Sequence, residues 1–180
     1  AETHKTDAGS IRPSLSKSIV DLWKVYAFIT TLIIAVYVWL GMPVFESFLH
    51  AFSGISTGGF SPKASSIGAY SPAIQAVTTV FMFIGGVNFV LLYSLLNGRW
   101  RKLYRNSEFR LYSYLFLALT GVIAFDLVGS SSLTHELLNA AFQSAAVLSS
   151  TGYGTMSLST LSLVVQVLII GGMFVGGSVG

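Results

Sequence analysis

The sequence predicts an all-α, polytopic membrane protein made of two repeats, each a transmembrane helix, a short re-entrant pore helix, a filter loop and a second transmembrane helix. Three observations lead there. Of the 180 residues, 53% are hydrophobic and only 9% are charged, with a mean hydropathy of +0.72, whereas soluble domains carry roughly 25% charged residues. Four segments are apolar enough to cross a bilayer, which takes about 20 residues each. A Ser-Thr-Gly motif occurs twice, each time after a short apolar stretch.

Composition narrows the class further. A soluble fold of this size leaves roughly 30% of its unfolded surface in water, and this chain has too few polar residues to cover it. The lipid bilayer is therefore the first partner implied. The absence of cysteine excludes disulfides and thiolate metal sites, and no cofactor is expected. Residues 1–17 are polar and lack the apolar run of a signal peptide. The net charge of +3 does not point to nucleic acid, because the positions of the charges explain it.

The spanning segments are residues 22–40, 72–96, 111–128 and 158–180. Pro72 stands at a natural helix start. Residues 44–55 and 137–149 are apolar but span only about 18 Å as helix, a length that suits re-entrant segments. The predicted organisation is an N-terminal segment 1–21, a pore repeat 22–97, a basic loop 98–110 and a pore repeat 111–180 that ends inside its last helix.

Charge sets the orientation, because Lys and Arg gather in cytoplasmic loops. Lys5, Arg12, Lys17 and Lys24 flank the first span, and Arg99, Arg101, Lys102, Arg105 and Arg110 lie between the second and third. Lys63 alone lies on the other side. The N-terminus and the basic loop are thus expected in the cytoplasm. Glu46, Asp126 and Glu136 fall at an acidic outer mouth.

The two loops form an internal repeat. At an offset of 94, Phe48 falls on Phe142, Ala51 on Ala145, Ser56 on Ser150, Thr57 on Thr151 and Gly58 on Gly152. The first loop reads Ser56-Thr57-Gly58-Gly59-Phe60 and the second Ser150-Thr151-Gly152-Tyr153-Gly154. Non-helical backbone at membrane depth is tolerated only where protein buries it or it lines a water-filled path. Glycine allows the dihedrals that let consecutive carbonyls face one way, and a ring of carbonyls replaces the hydration shell of K⁺. The C-terminal end of the preceding half-helix adds about half a negative charge. Thr57, Gly58, Thr151 and Gly152 are the expected K⁺ ligands, with K⁺ as the transported ion. The second loop differs from the potassium-channel filter Thr-Val-Gly-Tyr-Gly at two positions only.

These residues resemble the Trk/Ktr/HKT superfamily of potassium transporters, and most of all its prokaryotic TrkH/KtrB branch. The resemblance runs from Arg12-Pro13 and Leu22-Trp23, through the stretch from His50 to Ser61 and the stretch from Phe81 to Phe89, to Phe142-Gln143-Ser144 and onward to Thr155. It ends at Gly176-Gly177-Ser178-Val179-Gly180. The family has four such repeats, and this chain resembles the middle two, so it is expected to be a piece of a longer protein. The resemblance implies K⁺ uptake across the cytoplasmic membrane, with a gate loop at Gly176, Gly177, Ser178 and Gly180. It also implies a homodimer and a cytosolic nucleotide-binding regulatory subunit similar to TrkA/KtrA. In the family a filter Gly in place of Ser goes with K⁺ preference, and Gly58 and Gly152 are both Gly. A Na⁺-permeable or K⁺/Na⁺ co-transporting member is the alternative within transport.

A second class is an intramembrane serine hydrolase. Gly54-Ile55-Ser56-Thr57-Gly58 matches G-x-S-x-G, with His50 and Glu46 upstream. That motif needs a strand before the serine and a helix after it, whereas a half-helix is expected before Ser56, so the chain is read as no enzyme. His50 is expected to be a packed, hydrogen-bonded side chain. Asn88, in mid-span, is a candidate for interhelical bonding or for lining the cavity below the filter. Gly85-Gly86 and Gly171-Gly172 are expected as helix packing points, and Trp23, Trp39 and Trp100 as interfacial anchors.

Overall fold

A computed structural model describes residues 8–96, 98, 100–129 and 132–175. Among them every regular element is a helix. The order is α1 (Ala8–Trp39), α2 (Val44–Ile55), α3 (Pro72–Gly85), α4 (Phe89–Leu96), α5 (Trp100–Arg105), α6 (Ser107–Asp126), α7 (Leu133–Leu148) and α8 (Leu163–Val175). Short 3₁₀ turns, Ser66–Ala69 and Leu158–Thr160, follow the two filter-like loops. Residues 176–180, which carry the expected gate loop, lie outside the described residues.

Helix α1 begins at Ala8, well upstream of the apolar run. Hydropathy marks the part that suits a bilayer, while a helix already nucleated extends through polar sequence at one hydrogen bond per residue. Val25, Ile29, Ile33 and Tyr37 recur every fourth residue and are buried, so one stripe of α1 faces the core. Trp23, Phe28 and Trp39 lie on its exposed surface. The apolar window Leu22–Trp39 is only 28% buried within the chain, and that of Ser107–Asp126 only 6%. Apolar helices so little covered by the described residues leave wide apolar faces for lipid or further protein to cover.

The expected span 72–96 is not continuous. Helix α3 stops at Gly85 and α4 starts at Phe89, with Gly86, Val87 and Asn88 between them. Gly86 and Val87 donate to the Met82 and Ile84 carbonyls, and the Asn88 carbonyl accepts from Leu91 and Leu92, so the freed backbone groups find partners on both sides of the break. Gly86 is also a packing point. A Cβ there would overlap the Tyr112 hydroxyl and come within 3.2 Å of Ser149 Cα. Gly172 meets Val147 in the same way, at 3.1 Å, whereas Gly171 faces open space.

Helix α7 sits against α3, α6 and α8, and α2 against α1 and α3. The second half of α7 is therefore an inner element, whereas α2 buries Ser47, His50, Ala51 and Ile55 and leaves Val44, Phe45, Phe48, Leu49 and Phe52 exposed. Phe142, Ala145, Ala146 and Tyr153 share a buried cluster with Ile67 and Met82, which joins the second repeat to the first. Asn106 caps α6 by accepting from the Phe109 amide at 2.9 Å. Asp126, at the other end of α6, accepts from the Ser162 amide at 2.8 Å, which ties the start of α8 to the end of α6.

The two glycine sites give a contrast for stability. Gly86→Ala must move Tyr112 and the α7 end, and is expected to cost about 1–3 kcal/mol. Gly171→Ala meets nothing and should be neutral or stabilising by up to about 1 kcal/mol. Thermal unfolding of the two variants in detergent checks both signs.

Candidate ion-conduction site

Each short helix ends in the same way. In α2 the Ser56 amide donates to the Phe52 carbonyl and the Thr57 amide to the Gly54 carbonyl. In α7 the Ser149 amide donates to Ala145 and the Ser150 amide to Val147. Thr57 and Ser150 then take left-handed backbone, with φ of 53° and 58°, and Gly59 and Gly152 take it again, at 67° and 76°. Gly58 and Thr151 lie between them without it. Such alternation of hand turns successive peptide groups to one side. Non-glycine residues at positive φ are uncommon, and two at matching places in two loops point to a shared conformation.

By backbone hand the loops correspond at an offset of 93, with Thr57 on Ser150, Gly58 on Thr151, Gly59 on Gly152 and Phe60 on Tyr153. The offset of 94, which aligns identical letters, is kept by the amides that close each loop onto its helix: Gly58 donates to the Ser53 carbonyl and Gly152 to the Ala146 carbonyl. The second loop thus holds one more residue between its helix and the closing amide. Gly59 is also where the two loops meet, since a Cβ there would overlap the Thr151 carbonyl oxygen. Only glycine fits that approach at that φ.

Side chains hold the loops from behind. The Phe60 amide donates to Ser53 Oγ at 2.6 Å, and Ser56 Oγ donates to the Phe52 carbonyl at 2.7 Å. Ser149 and Thr151 share a hydroxyl hydrogen bond of 2.6 Å. Tyr153 is 2% exposed, and its hydroxyl donates to the His50 carbonyl at 3.1 Å. Gly154 donates to Ser66 Oγ at 3.3 Å and accepts from the Gly68 amide at 3.1 Å. The linker after the first loop thus braces the exit of the second.

The acidic residues expected at an outer mouth have different settings. Glu46 pairs with Lys63 at 3.1 Å and accepts from the Tyr70 hydroxyl at 2.7 Å. The Tyr70 hydrogen bond first, and Lys63 next, hold its carboxyl below the usual range. Asp126 serves as the cap on α8. Glu136 is 3% exposed, in the first turn of α7, where a carboxylate suits the helix N-terminus. Asn88 is half-buried in the α3–α4 break.

Ser56 stands at a helix end and bonds to its own helix. The His50 imidazole is engaged with the Glu46 carbonyl and Ser61. The strand–turn–helix setting of G-x-S-x-G is replaced by a helix–loop, and Ser56 and His50 form no pair.

Sequence reasoning missed Ser61, Ser66, Gly68 and Tyr70 as supports of the loops, since single polar residues in a linker carry no pattern. It also missed the break in the span 72–96. A signal for that existed: Met82-Phe83-Ile84-Gly85-Gly86 recurs 91 residues later as Met173-Phe174-Val175-Gly176-Gly177.

Two span–short helix–loop–span repeats, packed through α7 of the second against α3 of the first, define an all-helical polytopic membrane protein. The model of the TrkH family, described as a cation transport protein, matches residues 2–127, and the chain belongs to that family. It is 35% identical over 176 residues to the Trk system potassium uptake protein TrkH of Salmonella typhimurium, a match covering 94% of this chain and 36% of that protein. It is 34% identical to TrkH of Escherichia coli K12, with the same coverage. The crystal structure of the potassium transporter TrkH from Vibrio parahaemolyticus is similar with a TM-score of 0.86 and 27% identity, covering 94% of this chain and 39% of that one. The chain thus spans little more than a third of the length of these relatives.

Two outcomes follow from this geometry. Gly59→Ala, which puts a methyl group into the Thr151 carbonyl at an unfavourable φ, should reduce ion flux at least about tenfold while Gly58→Ala does so far less; isotope uptake per folded molecule distinguishes them. The lowered carboxyl of Glu46 contributes stability that is present above the ordinary carboxylate range and is lost as pH falls through its depressed value. Glu46→Gln should therefore flatten the acid limb of a melting-temperature profile.

Proposed function

We propose that this chain supplies two of the pore loops of a K⁺ uptake transporter in the cytoplasmic membrane. The single observation that carries the reading is the pair of loops at the ends of α2 and α7, with alternating backbone hand and in contact at Gly59 and Thr151. Backbone carbonyls of Thr57, Gly58, Gly59, Thr151 and Gly152 are the ligands that would replace the ion's hydration shell. The C-terminal ends of α2 and α7 favour the cation without a fixed charge. Binding by neutral oxygens lets the ion leave as well as enter. Uptake of potassium by the Trk relatives and family membership support K⁺ as the cargo.

The finer parts of the reading rest on the family resemblance and on charge. They are a gate at Gly176, Gly177, Ser178 and Gly180, pairing of two copies, a cytosolic nucleotide-binding subunit, and a cytoplasmic N-terminus. The basic residues Arg101, Arg105 and Arg110, near or within α5 and α6, support the orientation.

Gly152→Asp in the complete transporter tests the filter. It should abolish K⁺ uptake into proteoliposomes, because the side chain enters the path and the φ of 76° disfavours it. Retained flux in folded protein would remove Gly152 from the conduction path. For orientation, a cysteine at Ser107 should react with an impermeant thiol reagent from the cytoplasmic side only, and one at Ala64 from outside only. Ala64 is exposed, whereas Ser66 is occupied in holding Gly154.

A further inference from the structure

His50 is fully buried on α2, a little under two turns before the first loop begins at Ser56. Its Nδ1 lies 2.8 Å from the Glu46 carbonyl. A carbonyl only accepts, so Nδ1 carries the proton. In the neutral ring this leaves Nε2 as an acceptor for the Ser61 hydroxyl at 3.0 Å. Ser61 directly follows the first loop and also accepts from the Lys63 amide at 3.2 Å. The imidazole thus fixes the exit of the first loop to the pore helix.

The same residue also meets the second loop. Its main-chain carbonyl accepts from the Tyr153 hydroxyl at 3.1 Å, a contact spanning 103 residues of sequence. The two rings pack with centroids 5.8 Å apart. On the other side the Tyr70 ring packs edge-on, 5.3 Å away, and Tyr70 is held by Glu46, itself paired with Lys63. His50 is therefore in ring contact with both Tyr70 and Tyr153. Between the two loops, at Gly59 and Thr151, there is no room for a methyl group.

We propose that His50 is a positioning residue for ion selection, holding the first loop through Ser61 and the second through Tyr153 at one point on α2, and so setting the spacing between the two sets of carbonyls. The inference rests on the reading of these loops as a filter and goes beyond it by naming what fixes their separation. K⁺ and Na⁺ differ in size by a few tenths of an ångström, so ligand spacing that is held from behind discriminates where a slack loop does not. A residue with only a packing role would change the amount of folded protein and leave the ion ratio alone.

The experiment uses the complete transporter in proteoliposomes, with K⁺ and Na⁺ flux measured per folded molecule. Tyr153→Phe and Ser61→Ala each delete one oxygen and leave the rest of the side chain in place. Each is expected to lower the K⁺/Na⁺ flux ratio about fivefold, the worth of one net hydrogen bond, and in Ser61→Ala, which lies outside both loops, K⁺ flux should change less than about twofold. His50→Gln keeps a donor and an acceptor and should fall between the wild type and His50→Ala. If His50→Ala is recovered only in misfolded form, the two oxygen deletions carry the test. Unchanged ratios in folded Tyr153→Phe and Ser61→Ala overturn the proposal. Gly152→Asp is run beside them: loss of flux there with unchanged ratios in the others overturns this inference alone, whereas retained flux overturns the filter reading and this inference with it.

Discussion

A chain that leaves its helix inside an apolar layer must find a partner for every backbone group it frees, because no water is there to take them. This constraint acts twice here, at the ends of α2 and α7. The last helical carbonyls accept from the first loop amides, and hydroxyls of Ser53, Ser56, Ser149 and Thr151 take up further bonds. The loop carbonyls that remain are those available to an ion. What makes the backbone tolerable at this depth and what would make it the proposed cation site are thus one arrangement.

The packing follows from that arrangement. Helix α7 lies among α3, α6 and α8, and α2 turns one face onto α1 and α3, while the longer helices leave apolar faces exposed. Helix α7 lies on α3 of the preceding repeat, and Tyr153 reaches α2. Each loop is therefore shaped partly by its neighbour. Glycine stands where the backbones come closest, at Gly59 against Thr151 and at Gly86 against Tyr112 and Ser149. Elsewhere, as at Gly171, it has no steric reason in this chain.

The charged residues are used sparingly and mostly for architecture. Glu46 joins α2 to the following linker through Tyr70 and Lys63. Asp126 joins α6 to α8. An acidic residue between two spans can attract cations or cap a helix, and sequence position alone does not separate these roles. The bond to the Ser162 amide does so for Asp126.

Much was legible without coordinates. The all-helical membrane class, the two repeats, the short helices and the turn residues after them follow from apolar run length and from glycine and serine placement, which are local properties. The backbone course of the loops was not legible. Letters and closing amides pair Gly58 with Gly152, while left-handed backbone pairs Gly59 with it, because the second loop has one more residue between its helix and the closing bond. The break at Gly86–Asn88 was hidden inside an apolar run, since hydropathy counts residues and is blind to the backbone. His50, Ser61 and Tyr153 come together only in three dimensions. Their contact spans 103 residues, and a bond between two repeats leaves no mark in the pattern of either.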